Sequence, residues 1–328
     1  MRIALDAMGG DHAPQEVIKG ALVAAQHPDV EIVLVGREPL IQSQLSGFRH
    51  RNSSLSIVDA REVVDPHDSP LQAVRSKPDS SIAVGMDLVK GGEVSAFVSA
   101  GSTGAVAAAA YLSLGLMEGV ERMALGLVYP GASGTTLLLD VGANADCRPN
   151  FLVQFAYMGS TYMERVWAIP RPRVALLSIG EEETKGNRLV QQTHRLLKAS
   201  SLNFVGNVEG NDLSRGVADV IVTDGFTGNV VLKASEGFGE ALAQAFARGL
   251  GSKPHLKIAS FFLRRALARR LDYSETGGAL LLGVNGNVIV AHGRSQAKAI
   301  ANAIRLARQM VEQGMPQSLM EAKLWVNQ

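Results

Sequence analysis

Short apolar runs alternate with longer amphipathic segments along most of the chain. The apolar runs predict β-strands, and they include "RIAL", "EIVLV", "LSIV", "SAFVS", "MALGLVY", "TTLLLD", "RVALLSI", "NFVGN" and "DVIVTD". The longer segments have the spacing of helices and lie at about residues 16–26, 104–116, 188–199, 230–248 and 295–312. Because the strands are apolar on both faces and alternate with helices, the pattern predicts the α/β class, with a largely parallel sheet covered on both sides.

The pattern changes towards the carboxyl end of the chain. In "ALLLGVNGNVIVAHG" two apolar runs are joined through Asn285-Gly286, which is a strong β-hairpin signal. The sheet is therefore expected to be mixed, with most of its strands parallel. A length of 328 residues suits one large α/β domain or two intertwined lobes. We expect a single catalytic domain over residues 1–328.

Composition narrows the classes of function. Hydrophobic residues make up 46% of the chain and charged residues 19%, below the roughly 25% of an average globular protein. This balance predicts a large buried core, and a net charge of only +1 gives no indication of a nucleic-acid partner. The best candidate for a membrane span, "AVAAAAYLSLGLM", is too short to cross a bilayer and predicts a buried helix. We expect a cytoplasmic protein.

The cysteine and histidine residues give no indication of a metal site. Cys147 is the only cysteine, which excludes an intramolecular disulfide and a multi-cysteine metal site. The seven histidines lack any known ligand spacing, so we predict no metal, and no dinucleotide fingerprint or Walker A motif indicates a cofactor. Cys147 has no nearby histidine to activate it, and a lone cysteine is more often a small buried residue than a nucleophile.

Polar residues recur where a predicted strand ends. Six such loops are "ALDAMGGDH", "SAGSTG", "LLDVGAN", "SIGEEETKGN", "GNVEGND" and "VTDGFTGN". In an open α/β sheet, ligands bind outside the carboxyl ends of the strands, so we expect these loops to converge on one crevice. Each loop alone is explained equally well as an ordinary turn. The candidate substrate-binding residues are Asp6, Gly9, Gly10, His12, Ser102, Thr103, Asn144, Asp224 and Thr227.

The first two loops have features of anion sites. Gly9 and Gly10 would let the backbone approach a ligand closely at the start of a helix. His12 is a candidate acid, a ligand contact or simply a capping side chain. The free backbone N–H groups of Ser102, Thr103 and Gly104 would open the next helix. They predict a site for phosphate or carboxylate, and ordinary helix capping is the alternative.

Residues 251–275 differ in kind from the rest of the chain. "KPHLKIASFFLRRALARRL" carries six basic residues and no acidic one. On a helix its apolar residues form one stripe and most basic residues lie on the other side. This amphipathic pattern predicts binding to an anionic membrane surface or an acidic partner, and an oligomer-interface helix explains it equally well. The residues assigned to this surface are Lys257, Phe261, Phe262, Leu263, Arg264 and Arg265.

Six motifs, in their order along the chain, resemble the phosphate acyltransferase family PlsX. They are "DAMGGDHAP", "SAGSTGA", "LLDVGAN", "IGEEETKGN", "VTDGFTGN" and "GALLLGVNG". The resemblance implies formation of an acyl phosphate from long-chain acyl-acyl-carrier protein and inorganic phosphate, for phospholipid (phosphatidic acid) synthesis. It also implies an α/β/α fold similar to phosphotransacetylases and the isocitrate and isopropylmalate dehydrogenases.

The same resemblance implies partners and a location. It implies a homodimer, peripheral association with the inner face of the cytoplasmic membrane, and transfer of the product to a membrane-bound glycerol-phosphate acyltransferase. By their positions in "ETKGN" and "FTGN", Lys185 and Asn229 are implied to be the catalytic pair.

The chemistry of the reaction suits this pair. Inorganic phosphate is substantially dianionic near neutrality, so it needs placing more than deprotonating. Lys185 would neutralise and orient it, and the amide of Asn229 would hydrogen-bond the developing oxyanion. Lys185 as a general base is the alternative. The acids at 181–183 either restrain Lys185 or complement the dipole of the next helix.

Three other functions are compatible with parts of the pattern. A coenzyme A phosphotransacetylase and a dehydrogenase are expected on the same fold, and fold alone does not separate them. The absent dinucleotide fingerprint argues against the dehydrogenase. A non-catalytic membrane scaffold that uses the basic segment belongs to another functional class.

Overall fold

The structure is a computed structural model that describes residues 1–48, 54–131, 134–251 and 277–322. Its strands are β1 (Arg2–Asp6), β2 (Glu31–Gly36), β3 (Leu55–Asp59), β4 (Ala96–Ser99), β5 (Ala124–Gly131), β6 (Gly134–Leu139), β7 (Arg173–Leu177), β8 (Asn203–Val208), β9 (Val220–Val222), β10 (Ala279–Leu282) and β11 (Asn287–Val290).

The helices are α1 (Gln15–Ala24), α2 (Glu38–Ser46), α3 (Pro70–Ser76), α4 (Ser81–Lys90), α5 (Thr103–Ala109), α6 (Pro149–Arg165), α7 (Arg188–Ala199), α8 (Gly225–Gly251), α9 (Ala297–Glu312) and α10 (Met315–Ala322). A π-helical turn, Ala110–Leu114, continues α5.

All of these strands form one sheet in the order β3-β2-β1-β4-β11-β10-β5-β6-β9-β7-β8. The five strands from β3 to β11 are mutually parallel, and so are the four from β6 to β8. Strands β10 and β5 join the two blocks through antiparallel pairings. The predicted mixed, mostly parallel sheet is confirmed, and so is the hairpin at Asn285-Gly286, which joins β10 to β11.

The two parallel blocks run in opposite directions. Three successive antiparallel pairings, β11 with β10, β10 with β5 and β5 with β6, separate them. An odd number of reversals turns the second block over, so the carboxyl ends of the blocks lie at opposite edges of the sheet. The predicted convergence of the six polar loops on one crevice stays a prediction, because strand direction alone does not fix how far apart the loops lie in a twisted sheet. The loops after β1 and β4 lie at one edge, called here the first edge, and the loops after β6, β7, β8 and β9 lie at the second edge.

Helices cover both faces of the sheet. Alternate strand residues point to opposite sides, so Ile3 and Leu5 of β1 belong to the apolar layer that includes residues of α1, α6, α9 and α10, while Ala4 belongs to the layer with α4 and α5. Apolar residues of α3 and the start of α8 join the second layer. Because both faces are covered, the strands are apolar throughout, and the predicted three-layer α/β/α sandwich is confirmed.

The predicted helices agree with the structure in different degrees. The helix predicted at 188–199 is α7, with the same bounds, while α8 begins earlier than the predicted 230. Five helices are not among those predicted, namely α2, α3, α4, α6 and α10. The basic segment 251–275 lies outside the described residues apart from Gly251. In the described parts of the chain, no helix combines the length and hydropathy that crossing a membrane requires.

Candidate functional site

The second edge holds both predicted catalytic residues. The loops there follow β6, β9, β7 and β8, which are neighbours in that order. Asn144 lies in the loop after β6, Asn229 follows β9, and Lys185 follows β7. Because neighbouring strands are about 4.8 Å apart, three consecutive loops can contact one small ligand.

A buried aspartate fixes the loop after β6. The Asp140 side chain is inaccessible to solvent, and its two oxygens accept hydrogen bonds from the backbone N–H groups of Leu125, Gly142, Ala143 and Asn144, at 3.0, 3.0, 2.9 and 2.7 Å. The side-chain amide of Asn144 adds a fifth, at 2.8 Å. Burial raises the pKa of Asp140, and the hydrogen bonds from these donors oppose that rise. Every donor is an N–H group, so an acceptor-only carboxylate fits this position.

We expect Asp140→Asn to destabilise the fold strongly. The new amide would direct N–H groups at N–H groups, and two or more buried donors would lose their acceptor, at a cost of about 3 kcal/mol in the free energy of unfolding. Urea denaturation measures this change. Asp146→Asn, at an exposed position of the same loop, serves as the control and should change stability by less than about 0.5 kcal/mol. Equal midpoints for the two variants would contradict the structural role of Asp140.

The first turn of α8 packs closely on the Asp140 loop. A Cβ atom on Gly228 would lie 1.9 Å from the Asp140 carbonyl oxygen, so only glycine fits there. Asp224 precedes the helix and accepts 2.8 Å hydrogen bonds from both the backbone N–H and the hydroxyl of Thr227. Asp224 therefore caps α8. These contacts place the exposed side chain of Asn229 beside Gly142, where a Cβ atom on Gly142 would be 3.7 Å from Asn229 Nδ2.

Asn144 has a structural role in this arrangement. Its Nδ2 donates to the Met123 carbonyl at 2.7 Å and to Asp140 Oδ2 at 2.8 Å. With both amide hydrogens used, only Oδ1 is left to contact a ligand. Asn144 is thus unsuited to donate a hydrogen bond to phosphate, whereas Asn229 is exposed at the same edge.

Lys185 lies on an exposed turn between β7 and α7. Its backbone N–H donates to the Glu182 carbonyl at 3.0 Å, and its side chain is exposed. Within the described residues, Lys185 Nζ forms no ion pair with a carboxylate. Glu183 instead pairs with Lys198, which holds the pKa of the Glu183 carboxyl below its usual range. Glu183 therefore does not restrain Lys185, and the cation is accessible to an anionic substrate.

A buried polar pair supports this turn and has no distinct sequence signal. Asn207 Nδ2 donates to the Glu182 carbonyl at 2.9 Å, the same oxygen that the Lys185 backbone contacts. Asn207 Oδ1 lies 2.9 Å from Nδ1 of His194, which is 4% exposed. Because Oδ1 is an acceptor, His194 Nδ1 carries the hydrogen. The amphipathic pattern of α7 predicts only which helix face is buried.

The first edge is built in a similar way around Asp6. This carboxylate is 1% exposed and accepts hydrogen bonds from Ser99 Oγ at 2.6 Å and from the Met8 backbone at 3.0 Å. Burial raises the pKa of Asp6, and the hydrogen bonds oppose it. A Cβ atom on Gly9 would lie 2.4 Å from Asp6 Oδ2, so tight packing explains this glycine. Asp6 is therefore a loop-fixing residue, as Asp140 is.

The other candidate residues of the first edge differ in exposure and in their position relative to the helices α1 and α5. His12 is exposed, and Pro14 rather than His12 occupies the cap position of α1. Gly10 has a positive φ of 102°. Ser102 precedes α5 without a side-chain capping bond. Thr103 lines a cavity together with Gly142, so the start of α5, which follows β4, lies close to the loop after β6.

Cys147 is a partly buried thiol beside the core. Burial, with a smaller contribution from the charge of Asp140, raises its pKa to about 12. Since only the thiolate is a strong nucleophile, the Cys147 thiol is unreactive near neutrality. This agrees with the predicted non-catalytic role.

Comparisons with known proteins extend over nearly the whole chain. The sequence model of a family described as "Fatty acid synthesis protein" matches residues 1–318. A phosphate acyltransferase from Heliobacterium modesticaldum is 51% identical over 328 residues, with 98% of this chain and 97% of the relative covered. A phosphate acyltransferase from Desulforamulus reducens is 49% identical, with the same coverage of 98% and 97%.

Solved structures share the fold at low sequence identity. A phosphotransacetylase from Streptococcus pyogenes superposes with a TM-score of 0.63 at 18% identity, covering 95% of this chain and 94% of its own. A 4-hydroxythreonine-4-phosphate dehydrogenase from Klebsiella pneumoniae gives 0.56 at 14% identity, covering 94% and 99%. These likenesses concern the fold alone. The family match and the two close relatives together show that the chain belongs to the fatty acid synthesis protein family, among its phosphate acyltransferases.

Proposed function

We propose that this acyltransferase moves a long-chain acyl group from acyl-carrier protein to inorganic phosphate and releases an acyl phosphate. The observation that supports the site is the common edge of Lys185 and Asn229. Their loops follow β7 and β9, which pair directly, for example Val174 with Val220. One side chain is a cation and the other an amide, and both are exposed to a ligand.

The reaction divides into two electrostatic tasks. Lys185 neutralises and orients the phosphate dianion as its oxygen attacks the thioester carbonyl carbon. The C–S bond then breaks, the sulfur leaves as a thiolate, and the acyl group stays on phosphate. Asn229 Nδ2 donates a hydrogen bond to the carbonyl oxygen while that oxygen carries negative charge. The exposure of Lys185 favours the role of cationic clamp over that of general base, since lysines that act as bases are usually buried.

One assay separates the candidate functions. Purified protein and phosphate are supplied with palmitoyl-acyl-carrier protein or palmitoyl-coenzyme A, and thiol release and hydroxylamine-trapped acyl phosphate are followed. Phosphate-dependent product from the carrier protein supports the proposal. Product from coenzyme A alone would instead make the chain a phosphotransacetylase, and no product from either donor would favour the membrane scaffold.

We propose further that the product feeds phosphatidic acid synthesis. An acyl phosphate is a reactive anhydride, so direct transfer to a membrane-bound glycerol-phosphate acyltransferase would limit its hydrolysis. We therefore propose that the protein is cytoplasmic and associates peripherally with the inner face of the cytoplasmic membrane, and that it acts there as a homodimer. The sequence of the basic segment, 251–275, supplies the apolar stripe and cationic side chains that such a surface needs.

We expect Phe262→Glu to weaken binding to anionic vesicles. A charge on the apolar stripe opposes insertion, and losing one buried aromatic side chain costs about 2 kcal/mol, roughly a thirtyfold drop in partitioning. Sedimentation with phosphatidylglycerol vesicles measures the change. Leu40→Glu, at a position of α2 that is 47% exposed, is the control for an added charge elsewhere. Equal sedimentation of the Phe262 variant and wild type would contradict the membrane role.

A further inference from the structure

The described part of the chain contains a cavity of about 250 Å³ between α5 and the central strands. Ten residues line it, and none of them is charged. Its apolar walls are formed by Ala107, Ala108, Tyr111, Met123, Leu125 and Leu281. Thr103 and Gly104 of this lining lie at the start of α5, and the six apolar side chains suit an uncharged apolar ligand.

The cavity adjoins the proposed catalytic centre. Gly142 and Ala143 line one side of it. The Asn229 side chain is next to Gly142, with Nδ2 at 3.7 Å from where a Cβ atom on Gly142 would be. A thioester whose carbonyl oxygen contacts Asn229 Nδ2 would therefore have its carbonyl carbon within a few atoms of the cavity.

The size of the cavity fits part of a fatty acyl chain. A methylene group occupies roughly the volume of a water molecule in the liquid, about 30 Å³, so the cavity accommodates about eight carbons. The remainder of a palmitoyl chain would continue past Tyr111 and Leu112, which are 50% and 41% exposed. Exposed apolar side chains at the end of an apolar cavity provide a continuous surface for it.

We propose that this cavity is the acyl-chain site and that Ala108 sets the space available to the chain. This inference rests on the proposed function. Ala108 belongs to α5 and is half-buried against the cavity. Its methyl group leaves the volume open, and a larger side chain at this position would fill it. The acyl carbons nearest the thioester lie in the cavity, and the pantetheine arm, which is rich in amides, lies outside it.

The test compares long and short acyl chains in the Ala108→Phe variant. The ratio of kcat/KM for palmitoyl-acyl-carrier protein to that for butyryl-acyl-carrier protein is measured at saturating phosphate. Each displaced methylene group is worth about a fourfold change. We therefore expect the ratio in the variant to decrease by a factor of between about ten and about a hundred. The KM for phosphate should stay within about twofold of wild type, because Lys185, the proposed phosphate contact, does not line the cavity.

The matched control is Ala301→Phe, which makes the same change at a half-buried position of α9, on the opposite face of the sheet. Its ratio should equal that of wild type. Ala108→Leu, a smaller replacement, should give an intermediate ratio, and it replaces the Phe variant if that protein does not fold. An unchanged ratio, or an equal loss with both donors, would overturn the proposal.

Palmitate binding, measured by calorimetry, gives a readout that does not need the reaction. Weaker binding to Ala108→Phe than to wild type and Ala301→Phe supports the cavity as the acyl site. If wild type forms no acyl phosphate but binds palmitate in this Ala108-dependent way, the proposed function fails and the apolar site stands. If acyl phosphate forms while the variants bind palmitate equally, the site fails and the function stands.

Discussion

Lys185→Ala should lower kcat/KM for phosphate by about a thousandfold, the size of effect seen when a preorganised electrostatic contact to the reacting charge is removed. The loss should appear mainly as a raised KM for phosphate, because the cation contacts that substrate before the acyl group is transferred. Hydroxylamine trapping over a range of phosphate concentrations measures both constants. The exposed position of Lys185 means that folding should be unaffected.

Two further variants make this result specific. Lys185→Arg retains the positive charge with a different geometry, and we expect it to recover part of the phosphate affinity. Lys90→Ala removes an exposed lysine at the end of α4 and is the control for a loss of surface charge. If Lys185→Ala kept near-wild-type turnover at low phosphate, Lys185 would not be the clamp.

The strands of this fold could be predicted from local sequence because each is a short apolar run. Their pairing could not be predicted in the same way. Asn285-Gly286 encodes one reversal directly, but the pairing of β10 with β5 joins segments about 150 residues apart in sequence, at Leu280 and Gly126. No local pattern specifies a contact of that range. This long-range pairing decides that the two parallel blocks run in opposite directions.

The sequence also contains a local signal for a second hairpin. Strands β5 and β6 pair through Gly131 and Gly134, and only two residues separate these glycines. The stretch "PGASG" therefore contains a hairpin connection of the usual short length. Recognising it would have added one more antiparallel pairing. It would also have shown that the loop after β6 need not lie at the same edge as the loop after β1.

The residues of the site differ in whether their polar atoms are already occupied by hydrogen bonds within the protein. Motif order identifies Lys185 and Asn229 as candidates, and both prove to be exposed at the second edge. Asp140 and Asn144 belong to the same motif, yet their polar atoms are occupied by hydrogen bonds within the protein. A motif does not distinguish a residue that fixes a loop from one that contacts substrate. The hydrogen-bond partners and the exposure of each side chain in the structure make that distinction.

The residues that support the Lys185 turn could not be identified from local sequence either. Asn207 is contributed by β8 and reaches the Glu182 carbonyl 25 residues away in sequence. His194 then fixes the Asn207 amide from α7. Each residue is unremarkable in its local pattern, and their common role depends on how α7 packs on the sheet.

Asn229→Ala should lower kcat by about a hundredfold to a thousandfold, as expected for the loss of one oxyanion donor. Its KM for phosphate should change little, because the amide acts on the thioester carbonyl and only as negative charge develops there. This pattern is the opposite of that expected for Lys185→Ala, so the same trapping assay separates the two roles.

Asn229→Asp tests the hydrogen-bond donor itself. The carboxylate has nearly the same shape as the amide but directs lone pairs and negative charge at the carbonyl oxygen, so its kcat should be at least as low as that of Asn229→Ala. Asn150→Ala, at an exposed position in the first turn of α6, is the control and should retain wild-type kcat. Should Asn229→Asp turn over as fast as wild type, donation from Nδ2 cannot stabilise the transition state. A raised KM for phosphate with normal kcat would instead assign Asn229 to phosphate binding beside Lys185.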